Sequence, residues 1–386
     1  MKKILLSLSI LATTLISCST SDDEGNTQIV AGEITGSATT NKTFALGNYT
    51  LNGIYTIESG VTVTFDAGST VTANTANGVD AILVKNGGKL IMNGTASQPI
   101  ILTESSQTPG SWGGIIMYGD APINGAGATA TKTSEDGLNL TYGGTNPAHN
   151  GGTLRYVRVE YAGKKITDGT SEMNAFSFYS VGSGTILENL VAYKGADDGF
   201  EFYGGTVSAS NLISYGNYDD SFDWQDGWKG QNNSNWYAYQ VGTGNFGMEI
   251  EASNNNNDYY PVISNITLKR APGTNTEGGS SATEFDAIQF KKQGNGHFSN
   301  IVISGYTTTG ATAVRIQDAG TNTDQVNGNK IKLTAVKILD GTSEYAGVGA
   351  VNVTFPTGQF TTSTTSNGAN LTNGAWSTVG GVSLIQ

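Results

Sequence analysis

Residues 188–224 read ENLVAYKGADDGFEFYGGTVSASNLISYGNYDDSFDW, and one pattern occurs in them twice. At an offset of 22 residues Asn189 matches Asn211, Leu190 matches Leu212, Tyr193 matches Tyr215, Asp197 matches Asp219, Asp198 matches Asp220 and Phe200 matches Phe222. A fixed period of this size marks a repeat architecture, in which each unit covers its apolar face only by stacking on the next. Three short strands and three turns fill such a period, which predicts the rung of a right-handed parallel β-helix. Leucine-rich repeats have a similar period but need a leucine framework that this chain lacks. "SNITLK" from Ser264 and "SNIVIS" from Ser299 echo "ENLVAY" and "SNLISY" with longer excursions between them, expected to leave the coil on one side.

Composition agrees with an all-β fold. Only 13% of the 386 residues are charged and 53 are glycine, while runs such as "VTVTFDAGSTVTA" and "AILVKNGGKLIMNG" alternate with period two between Gly, Asn and Asp turns. Residues 120–153 hold almost no apolar periodicity and read as a long projecting loop, as do "NNSNWYAYQVGTGNFG" and "APGTNTEGGSSATEFD".

The first residues carry Lys2, Lys3 and an apolar run from Ile4 to Ile16, a secretion signal too short to span a bilayer as a mature helix. Residues 1–17 are read as this signal, 18–30 as a flexible acidic tether and 31–386 as one β-helix domain. Without the signal the chain has 18 basic and 32 acidic residues, from a whole-chain net charge of −12. No basic run offers phosphate contacts, so nucleic acid is excluded as a partner.

"LISC", ending at Cys18, resembles the bacterial lipobox, in which the cysteine is lipidated and becomes the first residue. Cys18 is the only cysteine, so no internal disulfide is possible. The resemblance implies a membrane partner through the lipid, anchored and not spanning. Ser21 to Glu24 resembles the signal that sends Bacteroidota lipoproteins to the outer face of the outer membrane. From about residue 30 onward, "AILVKNGGKLIMNGTASQPIILT", "GSWGGIIMYGDAPING", "LRYVRVEYAG" and "DDGFEFYGGTV" together resemble Bacteroidota surface lipoproteins of the pectin-lyase-like β-helix class. That class implies the fold without fixing an activity, because the fold hosts lyases, hydrolases and adhesins.

Alternation in "GFEFY" sends Phe200 and Phe202 to one face and Glu201 to the other; "SFDWQ" repeats this with Phe222, Trp224 and Asp223. Extending the register gives an outward column of Ser177, Glu201, Asp223, Glu249, Gln289 and Arg315, neighbours about 4.8 Å apart, with Asp197 and Asp219 beside it. Adjacent carboxylates repel, so one or more should have a raised pKa unless a cation lies among them. Calcium suits all-oxygen ligands, and Asp197, Asp219, Glu201 and Asp223 are its expected ligands. The competing reading makes the Asp-Asp pairs turn caps and the column acids solvated side chains. With His149 and His297 the only histidines, zinc is excluded, and no nucleotide or haem signature occurs.

Three readings of function compete. Binding of a glycan or other extracellular ligand would use Glu201, Asp223 and Glu249 with Trp228, Trp236 and Tyr237 as exposed aromatics, the lipoprotein serving as an accessory of an outer-membrane uptake or assembly complex. A calcium-dependent polysaccharide lyase or glycosidase would use Glu201, Asp223 and Glu249 with Lys291 or Arg315 as base; Lys292 neighbours these. A structural or adhesive β-helix is the third reading.

Overall fold

The period-two strands coil into a parallel solenoid. The computed structural model describes residues 27–29, 32–76, 78–166, 172–277 and 283–386; the predicted signal and Cys18 lie outside them. The last part of the predicted tether is ordered, since Thr27–Ile29 is a strand paired with Lys42–Phe44.

Twenty-five strands form one sheet, every pairing in it parallel, and the strands stack in columns. One column runs through Ala81–Val84, Ile115–Tyr118, Phe176–Tyr179, Phe200–Tyr203, Phe222–Gln225, Met248–Ile250, Ile288–Phe290 and Thr312–Ile316. A second runs through Gly152–Glu160, Ile186–Tyr193, Ala209–Tyr215, Asn233–Gln240, Val262–Arg270, Gly296–Ser304 and Ile331–Ile338. Parallel neighbours need a crossover, and L-residues make it right-handed, which gives the right-handed parallel β-helix read from the repeat.

The long strands of the second column are each two strands joined at a bend. Gly152–Glu160 pairs with Lys89–Asn93 in its first half and with Ile100–Glu104 in its second, so the single residue Tyr156 replaces a whole turn of the preceding rung. Tyr156, Asn189, Asn211, Asn235, Asn265, Asn300 and Ala335 hold these bends in left-handed conformations, φ between 49° and 61°. Asparagine tolerates this region better than other side chains with a Cβ, and its amides bond from rung to rung: Asn235 Nδ2 donates to Asn211 Oδ1 at 3.0 Å, and Asn300 to Asn265 at 2.7 Å. In this column the period of 22 holds between Leu190 and Leu212; the next equivalent residues are 24, 30, 35 and 35 positions on, because excursions lengthen the rungs.

Inside the coil, like residues stack on like. Phe176, Phe200 and Phe222 form a ring stack at 4.9 and 5.7 Å, and Phe178 lies 5.1 Å from Phe202. The segment read as the loop "NNSNWYAYQ" is instead strand Asn233–Gln240, bent at Asn235, which puts Trp236 in register with Leu212 and Ile266 in the core. After the last rungs, the C-terminal residues fold back along the asparagine bends: Asn367 N donates to Asn300 Oδ1 and Asn370 N to Asn235 Oδ1. This strap reaches Ala96, whose carbonyl accepts from Trp376 N, and returns to Tyr237, whose hydroxyl meets the backbone of Gln386.

Candidate functional site

The outward face of the Phe200–Tyr203 and Phe222–Gln225 strands is flanked by excursions. Residues 120–151 leave it after Tyr118, and within them Lys132–Thr133 and Thr141–Tyr142 form a hairpin that folds back instead of projecting. Its apolar side explains the return: Leu138, Leu140 and Tyr142 pack against Tyr118, Tyr179 and Tyr203. Two buried carboxylates fasten it. Asp136 accepts from the hydroxyls of Tyr118 and Ser134, and Asp226 accepts from Tyr142 and, at 2.9 Å, from Lys132.

Between the excursions lies a recess of about 290 Å³. Asp197, Asp198, Glu201, Asp219 and Asp223 come from the coil, with Asn174 and Tyr203; Glu135 and Glu172 come from the excursions. The predicted outward column exists in register, Ser177 against Glu201, Glu201 against Asp223, and Asp223 against Glu249. The competing reading of solvated acids does not describe it: Glu201 is 5% exposed, Asp197 beside it 3%, and Asp223 and Glu249 are half-buried.

The carboxylates differ in what already binds them. Glu201 accepts from Asn174 Nδ2 at 2.6 Å, from the Tyr203 hydroxyl, and from Gln225 Nε2 at 3.1 Å, so both its oxygens are engaged. Oδ1 of Asp198 accepts from Asp220 N at 2.8 Å and Oδ1 of Asp220 from Phe246 N at 2.6 Å. The turn-cap reading therefore describes one oxygen of each of these two residues, with the cap running from rung to rung. Asp219 accepts from Asn245 Nδ2. Asp223 is different: its Oδ1 is buried and has no hydrogen-bond partner.

Electrostatics follow from this crowding. Burial first, then mutual repulsion, push the carboxyls of Asp197, Asp198, Glu201, Asp220 and Asp223 well above the usual range. The same causes push Asp219 to about 7, against the opposing Asn245 bond. Glu249 is raised by burial against the pull of Lys291. Four triads each bring one oxygen per residue within 4.8 Å of the others: Glu172, Asp197 and Asp219; Asp198, Asp219 and Asp220; Asp198, Glu201 and Asp223; Asp220, Asp223 and Glu249.

The other sequence candidates are placed differently from expectation. Trp228 and Trp236, expected in exposed loops, are core residues at 1% and 0% exposure, their rings 5.9 Å apart and their indole N–H groups bound to the carbonyls of Val207 and Ala209. Tyr237 is covered by the C-terminal strap, in a cluster with Trp376 and Leu384. None of the three presents a ring face to solvent for a sugar. Lys291 is paired with Glu249 and lies 3.8 Å from Glu251, Lys292 is paired with Glu251 at 2.7 Å, and Arg315 grips Asp286 through two nitrogens at 2.9 Å. Burial works against the Lys291 ammonium, yet Glu249 and Asp223 outweigh it and hold its pKa above the ordinary value.

Sequence reasoning missed Asn174, Glu172 and Glu135. Asn174 was within reach, since it stands at the register position of Asp198 and Asp220, two residues before the paired Phe176, Phe200 and Phe222. Glu172 and Glu135 sit in excursions that share no period with the coil, and nothing in their neighbours signals the recess.

No curated protein and no solved structure matches the chain. A family model described as a pectate-lyase-like β-helix domain matches residues 32–379. Spanning nearly all of the parallel coil, that match shows that the chain belongs to the pectate-lyase-like β-helix domain family.

Proposed function

We propose that this β-helix holds calcium in the acidic recess and, through it, binds an extracellular glycan or similarly oxygen-rich ligand without turning it over. The orphaned Oδ1 of Asp223 carries the reading: a buried carboxylate oxygen without a donor is costly, and a cation supplies the missing partner. The donor set fits a hard cation, which takes about six to eight oxygens. Asp223, with the second oxygens of Asp198 and Asp220, would hold it. Glu201 instead orients the wall through Asn174, Tyr203 and Gln225. Calcium would there lend positive charge to ligand oxygens entering the recess.

The binding reading is favoured over catalysis because Lys291, Lys292 and Arg315 are each committed to a carboxylate. The family description keeps a calcium-dependent lyase as the second reading. In the same proposal Cys18 carries the lipid and Ser21 to Glu24 the export signal for the outer face of an outer membrane, where the protein would serve an uptake or assembly complex.

The test uses the chain from Ser19 onward, stripped with chelator, then mixed with calcium and a panel of neutral and acidic polysaccharides. Calcium at about a hundred times its dissociation constant should raise the melting temperature by roughly 5 °C, and Asp223→Asn should abolish that rise. Retention of one or more polymers without new reducing ends or unsaturated products is the expected outcome. Calcium-dependent product formation would establish the lyase or hydrolase, and absence of any calcium effect would end the cation reading.

A further inference from the structure

We infer that Lys132 and Asp226 react with each other to form an isopeptide bond, Nζ to Cγ, which ties the 132–142 hairpin covalently to the coil. The two residues stand 94 positions apart, one on the hairpin and the other directly after the Phe222–Gln225 strand. Nζ of Lys132 lies 2.9 Å from one carboxylate oxygen of Asp226 and 3.0 Å from the other, so the amine faces the carbon that both oxygens share. The Asp226 side chain is fully buried and that of Lys132 is 26% exposed. Reactants held in contact away from bulk water gain the effective concentration that lets an amide form where a free amine and carboxylate would not react. Packing of Leu138, Leu140 and Tyr142 against the tyrosine stack brings the pair together, so the bond can close only after the hairpin has docked.

The surroundings supply what the reaction needs. The Tyr142 hydroxyl donates to Oδ2 of Asp226 and the Ser253 hydroxyl to Oδ1, so either oxygen has a donor when negative charge gathers on it. Glu135, three residues after Lys132, is close enough for its carboxyl to interact with both partners, and it reaches solvent. It takes one proton from the Lys132 ammonium and passes it to a carboxylate oxygen of Asp226. The freed amine lone pair then attacks Cγ, and that oxygen departs as water with a second proton from the nitrogen. One Nζ–Cγ bond replaces one Cγ–O bond, nothing is oxidised or reduced, and no co-reactant enters. Composition favours such a staple: with Cys18 its only cysteine, the chain has no internal disulfide to fix so long an excursion.

The experiment is the intact mass, in urea, of the chain from Ser19 onward, followed by a tryptic map; the described fold lies wholly downstream of that residue. A mass lower than that of the sequence by one water is expected, with a branched peptide joining the segment that holds Lys132 to the segment that holds Asp226. Lys132→Arg and Asp226→Ala should each restore the full mass. Glu135→Gln should restore it too, although it keeps the ion pair, which a purely structural role for Glu135 would not explain. Full mass in the folded parent would overturn the bond. Loss of water that survives Lys132→Arg would overturn it also, because Asp226 precedes Gly227 and can close on its own backbone as a succinimide. Loss of water that survives only Glu135→Gln would overturn the proton-carrying role and leave the bond standing. The parent's mass and branched peptide decide the matter by themselves, so a variant that fails to fold does not blur the result.

Discussion

Asn211 shows how one side chain can set the path of a rung. It sits mid-strand at φ 58°, where most side chains would strain the backbone, and its amide oxygen receives the next rung's Asn235. Asn211→Gly should be tolerated, losing only the amide bond. Asn211→Val should cost about 2 kcal/mol, read as a lowered midpoint in urea unfolding, because a β-branched residue resists the left-handed region. The same residue explains what was legible in the sequence. The repeated "SN" and "EN" before apolar residues gave the period, but a turn residue inside a strand is invisible to alternation alone. Aligning on Asn235 would have moved Trp236 from a supposed loop into the core column of Leu212 and Ile266. Its burial predicts that Trp236→Ala costs about 3 to 5 kcal/mol, measured in the same urea experiment, where an exposed ligand-stacking residue would cost almost nothing.

Among elements, the 132–142 hairpin was the least legible. Residues 120–153 lack periodicity because their apolar residues, Ile123, Leu138, Leu140 and Tyr142, serve one irregular patch against a tyrosine stack and not a repeating strand. Tyr118, Tyr179 and Tyr203 present that stack at 4.8 and 3.9 Å. The hairpin's hold is a buried ion pair, in which the Asp226 side chain is fully buried and Lys132 mostly so. Removing one partner of such a pair leaves the other uncompensated, so Asp226→Ala should destabilise by about 3 kcal/mol. Limited proteolysis should then cut within 120–151 in the variant and spare the parent. Survival of that segment would mean the tyrosine contacts alone suffice. Alternation, by contrast, placed Glu201, Asp223 and Glu249 on one face correctly, because the period of a strand is fixed by its backbone. What it cannot show is a roof, which depends on where distant residues such as Glu172 return.

For the whole molecule, the recess ties stability to pH. Its carboxyls have folded pKa values above their unfolded ones, so between the two the folded chain holds more protons. Stability from these groups is full below the unfolded carboxyl range, about pH 4, and is lost as pH rises through the folded values, about 7 for Asp219. The melting temperature of chelated protein should therefore fall between about pH 5 and about pH 8, and the rise caused by calcium should grow over the same interval. Scanning fluorimetry with and without calcium at both ends of that range decides the matter. A calcium effect independent of pH would separate the ion from the recess.

The strap changes what kind of object the solenoid is. A stack whose rungs touch only their neighbours can peel from either end, one rung at a time. Here the chain's last residues lie along the asparagine bends, reach Ala96 and the guanidinium of Arg158, and finish on Tyr237. Early and late rungs are thereby stapled into one loop of contacts, and the ladder can no longer fray from its C-terminal end without first lifting its own tail. The strap also covers the tyrosine seam along Tyr161, Tyr193 and Tyr237, through Trp376 and Leu384. A chain lacking residues 367–386 would carry that seam uncovered.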